Sequence, residues 1–145
     1  MTLPGRQTSV QRAISSYATI ALETEVLSAS PERLITLLFS AARAAIAQAC
    51  LHIENNRIAE RGMAISKAIQ IVEEGLRAAL DRQAGGKLAA NLDQLYEYIA
   101  RSLLTANIDA DPDRLRHVDM LLENIAQAWQ TSVDRSVSES LTSTR

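Results

Sequence analysis

Asp113 and His117 stand four residues apart, a spacing that brings both side chains onto one helix face and could offer a carboxylate and an imidazole to one metal ion. No second pair joins them. The di-iron arrangement, a Glu from each of two helices and Glu-x-x-His from two others, has no counterpart here. Cys50 and His52 are two apart and would point to different sides of a helix, a poor nucleophile–base pair that leaves Cys50 as a small hydrophobe. Gly85-Gly86-Lys87 precedes a helical pattern as a phosphate loop would, but it lacks the Walker spacing and a strand before it, so it reads as a turn. Arg57, Arg61 and Lys67 form a solvated face rather than a nucleic-acid patch. The sequence offers no catalytic constellation, no metal set and no cofactor motif.

What must be positioned instead is apolar surface. The chain has 145 residues, 47% of them hydrophobic and 22% charged, which excludes wholesale disorder and fits one domain. A domain of about this size buries roughly 68–70% of its unfolded surface, enough for a real core. Fifteen Lys and Arg against seventeen Asp and Glu leave a net charge of −2, which argues against a nucleic-acid partner. One cysteine cannot form an internal disulfide, consistent with a reducing cytoplasm. Alanine supplies 23 residues while Gly and Pro together supply eight, so the propensities point to helix throughout.

Five helical segments follow from periodicity and caps. The first spans about 10–24, where Val10, Ile14, Tyr17 and Ala21 make one narrow apolar stripe; a helix this short must dock on something or fray. The second opens at Ser30 as N-cap, with Pro31 in the first turn and Glu32 at the positive end of the dipole. It carries two adjoining stripes, Leu34, Leu38, Ala41, Ala45 and Ala49 beside Ile35, Phe39, Ala42, Ile46 and Ile53, so it needs neighbours on both sides. Asn55 and Asn56 break the chain before a third segment, about 57–80, lined by Ile58, Ile65, Ile69, Val72, Leu76 and Leu80. A second row holds Ala64, Ala68, Ile71 and Gly75, where Gly75 is either a close crossing or a tolerated defect costing about 1 kcal/mol.

After the break at Gly85-Gly86, the fourth segment covers about 87–106, with Leu88, Leu92, Leu95, Tyr96, Ile99 and Leu103 inward. Asp111 caps the fifth, whose face Leu115, Val118, Leu122, Ile125 and Trp129 repeats at spacings of 3, 4, 3, 4. From Val133 to Arg145 the chain is Ser/Thr-rich and reads as a disordered tail, as residues 1–9 read as a flexible N-terminus. The domain is therefore 10–132. Short linkers between long helices give an all-α antiparallel up-down bundle of four long helices plus a short N-terminal helix.

The N-terminus lacks the apolar core of a secretory signal. Leu34 to Ile53 is twenty residues with one formal charge, but Arg43 near its middle would cost about 2.5–3.5 kcal/mol in a bilayer. A helix buried in a bundle fits better than stable membrane insertion.

Several motifs in order resemble the FliS family of flagellar export chaperones. They are Ser16-Tyr17-Ala18, the run Ser28 to Ile35, Leu37-Leu38-Phe39, Lys67-Ala68 with Ile71-Val72, and Leu80-Asp81. Gly85-Gly86, Leu88-Ala89, Asn91-Leu92, Leu95-Tyr96 and Tyr98 form the most recognisable block, followed by Ala106-Asn107, Leu121-Leu122 and Ala128-Trp129. The resemblance covers about Ile14 to Trp129. In two places the chain departs from the family pattern. Ser40 and Ala41 stand where an acidic residue and a glycine are common, and Lys87 where an acidic residue is frequent.

The resemblance implies a non-enzymatic cytoplasmic chaperone that binds the disordered C-terminal segment of flagellin. It would prevent premature polymerisation and support delivery to the flagellar type III export gate. It also implies a flagellin-binding groove at Leu34, Leu38, Phe39, Ala42, Leu95, Tyr96, Ile99 and Leu103, although periodicity alone does not sort groove from core. Ile14 and Tyr17 would belong to an N-terminal cap over the client surface that also contacts the export gate. A weak homodimer in the absence of client stays open. The alternative is a structural helical-bundle protein that self-associates through the same apolar faces.

Overall fold

The computed structural model describes residues 28–143. The expected first helix, with Ile14 and Tyr17, the N-terminal residues 1–9 and the last two residues lie outside them. Among these residues there are four helices: α1 (Pro31–Glu54), α2 (Ile58–Gln70, continuing as the π-helical turns Ile71–Arg77), α3 (Gly86–Asp109) and α4 (Pro112–Ser143). Among the described residues there is no strand.

Two helix starts are capped by side chains, and two helix ends by backbone reversals. Ser30 Oγ accepts from the backbone N–H of Arg33 at 3.2 Å, and Pro31 opens the first turn, as the sequence indicated. α1 ends in a Schellman reversal. Asn56 takes the left-handed conformation (φ 55°), its N–H donates to Ile53 O, and the N–H of Arg57 donates to His52 O. α3 ends the same way at Ala110 (φ 50°), with Ala110 N–H to Asn107 O and Asp111 N–H to Ala106 O. Asp111 then caps α4 by accepting from the N–H groups of Asp113 and Arg114. Between α2 and α3, Asp81 Oδ1 accepts from the N–H of Gln83 and Ala84 to form the turn before Gly86 (φ 52°).

Cross-helix contacts fix the topology. Arg43 of α1 meets Asp119 of α4, Arg61 and Arg77 of α2 meet Asn107 and Asp93 of α3, and Tyr98 of α3 meets His117 of α4. As residue numbers rise on one helix they fall on its neighbour, which makes an antiparallel up-down bundle with α1 and α3 each packed between α2 and α4. The two tight reversals, at Asn56 and Ala110, share one end of this bundle. The start of α1, the Asp81 loop and the far half of α4 share the other.

The core is Leu38 and Ile46 from α1, Ile65, Ile71 and Val72 from α2, Ile99 and Leu103 from α3, and Leu115, Val118 and Leu122 from α4, all essentially without solvent contact. α1 is long and apolar enough to cross a membrane by length and composition, and its buried side supplies much of this core. Gly75 settles as a close crossing: a Cβ there would collide with the Leu38 side chain.

The structure departs from the sequence reading in four places. Leu88 and Ile58, expected inward, are 67% and 69% exposed. For Leu88 the reason is register: Ala89, one residue on, takes the buried position. The third segment leaves regular α-helix after Gln70 and ends at Arg77 rather than Leu80. Residues 133–143, read as a disordered tail, continue α4 to Ser143. That stretch contains neither Gly nor Pro, and Gln130 bonds Asp134 while Thr142 and Ser143 hydroxyls bond carbonyls of the preceding turn.

Candidate functional site

An apolar cleft of about 340 Å³ opens at the end of the bundle opposite the tight reversals. α1 supplies Ile35 and Phe39. The end of α2 and the residues after it supply Leu76, Ala79 and Leu80. Leu88, Leu92 and Tyr96 come from α3, and Ile125, Ala128, Trp129 and Ser132 from α4. The regular face of α4 produces this by outrunning the core. Leu122 is its last fully buried residue, and Ile125 and Trp129 extend the same seam to where α2 has ended. On α3, Leu88 and Leu92 are one turn apart and carry the apolar surface out to the mouth.

Polar groups in the cleft are few. Burial pushes the Tyr96 phenol up to about 12. The indole Nε1–H of Trp129 is buried and has no hydrogen-bond partner among the described residues. Beside the cleft, on the outer face of the same α2 and α3 walls, charge is concentrated. Arg77 donates from Nε to Asp93 Oδ1 at 2.7 Å and from Nη1 to both Glu73 carboxylate oxygens, and Arg82 Nη2 donates to Asp93 Oδ1 at 2.8 Å. The hydrogen bonds from Arg77 and then Arg82 hold the Asp93 carboxyl well below the usual carboxylate range.

The residues weighed for chemistry in the sequence engage other partners. Among the described residues no three His, Cys, Asp or Glu side chains converge as a metal set would. Asp113 pairs with Arg116, and His117 Nε2 lies 3.3 Å from Tyr98 Oη. Burial pushes the Cys50 thiol up, away from the reactive thiolate form.

Of the eight expected groove residues, Phe39 and Tyr96 line the cleft. Leu34, Leu38, Ala42, Ile99 and Leu103 are buried in the core, and Leu95 is half-buried outside the cleft. Sequence reasoning had not marked Ile35, Leu76, Leu80, Leu88, Leu92, Ile125 and Trp129 for a groove. The available signal was Trp129, the chain's one tryptophan, at the end of a regular seam. Another groove, of about 440 Å³, runs between α1 and α2, from Ala41, Ala44, Ala45 and Gln48 to Met63 and Lys67.

Comparison with known proteins assigns this framework. Residues 13–136 match the family described as flagellar protein FliS. The chain belongs to the FliS family. It is 44% identical over 128 residues to the flagellar secretion chaperone FliS of Salmonella typhimurium, spanning 88% of this chain and 95% of that protein. It is 39% identical over 122 residues to FliS of Escherichia coli, spanning 84% and 90%. FliSB of Pseudomonas aeruginosa, also a flagellar secretion chaperone, is 42% identical over 118 residues, spanning 81% and 93%. Membership of the FliS family, whose relatives are flagellar secretion chaperones, supports an export chaperone, a role that implies a client protein.

Proposed function

We propose that this protein is the cytoplasmic export chaperone of flagellin and that the open-end cleft receives part of the flagellin C-terminal segment. The observation that carries the reading is the cleft itself: apolar side chains from all four helices meet around a space that no described residue fills, with Leu88 exposed at its mouth. A disordered client that orders on this surface loses conformational entropy, offsets the loss by burying apolar area, and cannot polymerise while its end is held. Delivery to the export gate then follows from handing over a client kept monomeric. Ile14 and Tyr17 belong to this proposal as a displaceable cap and gate contact; both lie outside the described residues.

Calorimetric titration with a peptide of the flagellin C-terminal segment from the same genome tests the reading. One-to-one submicromolar binding with a negative heat-capacity change is expected. A folded, monodisperse sample that ignores the peptide overturns it. Oligomers that form without client and are indifferent to it would favour self-association.

A further inference from the structure

The α2 wall of the cleft is the least conventionally held part of the bundle. From Ile71 to Arg77 the helix is π-helical, a form that is rare and usually confined to a single turn. Regular helix stops immediately beyond it, yet Leu76, Ala79 and Leu80 from this stretch face Leu88, Leu92 and Tyr96 of α3 across the cleft. A return from π to α geometry by one residue would turn everything beyond it by about 100° and carry Leu76 and Leu80 off the wall.

Arg77 is placed to prevent this. It follows Leu76 directly, and its partners follow cleft residues directly: Asp93 comes after Leu92, and Glu97 after Tyr96. Its guanidinium engages Asp93 through two nitrogens, at 2.7 and 3.4 Å, and reaches Glu97 at 3.8 Å. The same group holds Glu73 one turn back inside the π segment, at 3.0 and 3.2 Å. One planar fork thus ties the π segment to the opposite wall while also holding Glu73, a geometry a lysine cannot reproduce. Arg82 in the connecting loop adds a second cation on Asp93.

We propose that Arg77 is a positioning residue of the client cleft, fixing the π-helical end of α2 against Asp93 and so setting the separation of the two apolar walls. The proposal rests on the reading of the cleft as the client site.

The experiment compares full-length wild type, Arg77→Lys, Arg77→Gln and Asp93→Asn with Arg61→Gln, which breaks the α2–α3 contact to Asn107 at the far end of the bundle. Each is titrated with the flagellin C-terminal peptide, and amide hydrogen exchange is followed without peptide. Both Arg77 variants and Asp93→Asn are expected to bind at least tenfold more weakly, with the double variant Arg77→Gln/Asp93→Asn no worse than either single. Exchange over residues 71–80 should rise in them alone, and Arg61→Gln should bind as wild type. Binding within twofold of wild type in Arg77→Gln, or an equal loss in Arg61→Gln, overturns the proposal. If wild type itself ignores the peptide, the client reading fails, and the exchange decides for Arg77: unchanged protection of 71–80 in Arg77→Gln overturns its role.

Discussion

A Cβ placed on Gly75 would stand 2.7 Å from Cδ2 of Leu38, so the Leu38 side chain rests directly on the backbone of α2. Leu38 is fully buried, so displacing its side chain means repacking the core around it. Gly75→Ala gains about 1 kcal/mol of helix propensity but overpacks the core, which costs about 1–3 kcal/mol. The variant is expected to melt lower than wild type. Leu38→Ala alone should cost about 2–5 kcal/mol, and adding Gly75→Ala to it should cost less than adding it to wild type, read by a double-mutant cycle on thermal melts.

Leu88 and Leu38 separate surface from core. Leu88→Asp alters an exposed side chain, so its stability should stay within about 0.5 kcal/mol of wild type while peptide binding falls at least tenfold by calorimetry. Leu38→Asp would bury an unpaired carboxylate and is expected to abolish the folded state, visible as lost helicity in circular dichroism.

Tyr96 gives the bundle an alkaline limit. Its folded pKa is raised by burial from the ordinary 10 to about 12. The neutral phenol therefore favours the fold fully below pH 10, and that preference is lost as the pH rises toward about 12 and the unfolded chain ionises first. Chemical denaturation between pH 9 and 12 should show stability falling in wild type and falling less in Tyr96→Phe.

Trp129 carries a buried N–H with no partner among the described residues. An unpaired buried donor costs about 1–3 kcal/mol, so Trp129→Phe, which keeps a ring and removes the donor, is expected to melt no lower than wild type. A lower melting temperature would show that ring volume outweighs the relieved donor.

The bundle was legible because three of its boundaries carry their own local chemistry: Ser30 with Pro31, Asn56 in the left-handed region, Asp111 with Pro112. The cleft was less so. The family resemblance implied a groove that includes Leu38, Ile99 and Leu103, and periodicity, which ranks residues by how regularly they face inward, does not sort groove from core; all three are buried in the core. A groove forms where one helix outlasts its neighbour, as α4 outlasts α2 at Ile125 and Trp129, and that depends on where the neighbour stops. The π turns at Ile71–Arg77 have no marker in the sequence, and the clamp on Asp93 was equally hidden because it is a pairing across elements. The continuation of α4 past Val133 was misread because composition favoured disorder while the absence of Gly and Pro left nothing to end the helix.

The two Schellman reversals lie at one end of the bundle, a helix length away from the cleft. A 24-residue helix such as α1 or α3 is about 36 Å long. A tilt of about 3° at its capped end therefore displaces the other end by about 2 Å, roughly the radius of a methyl group. The geometry is one of leverage: a change in packing near Leu115 and Leu103 would be multiplied along the helices before it reached Leu88 and Trp129.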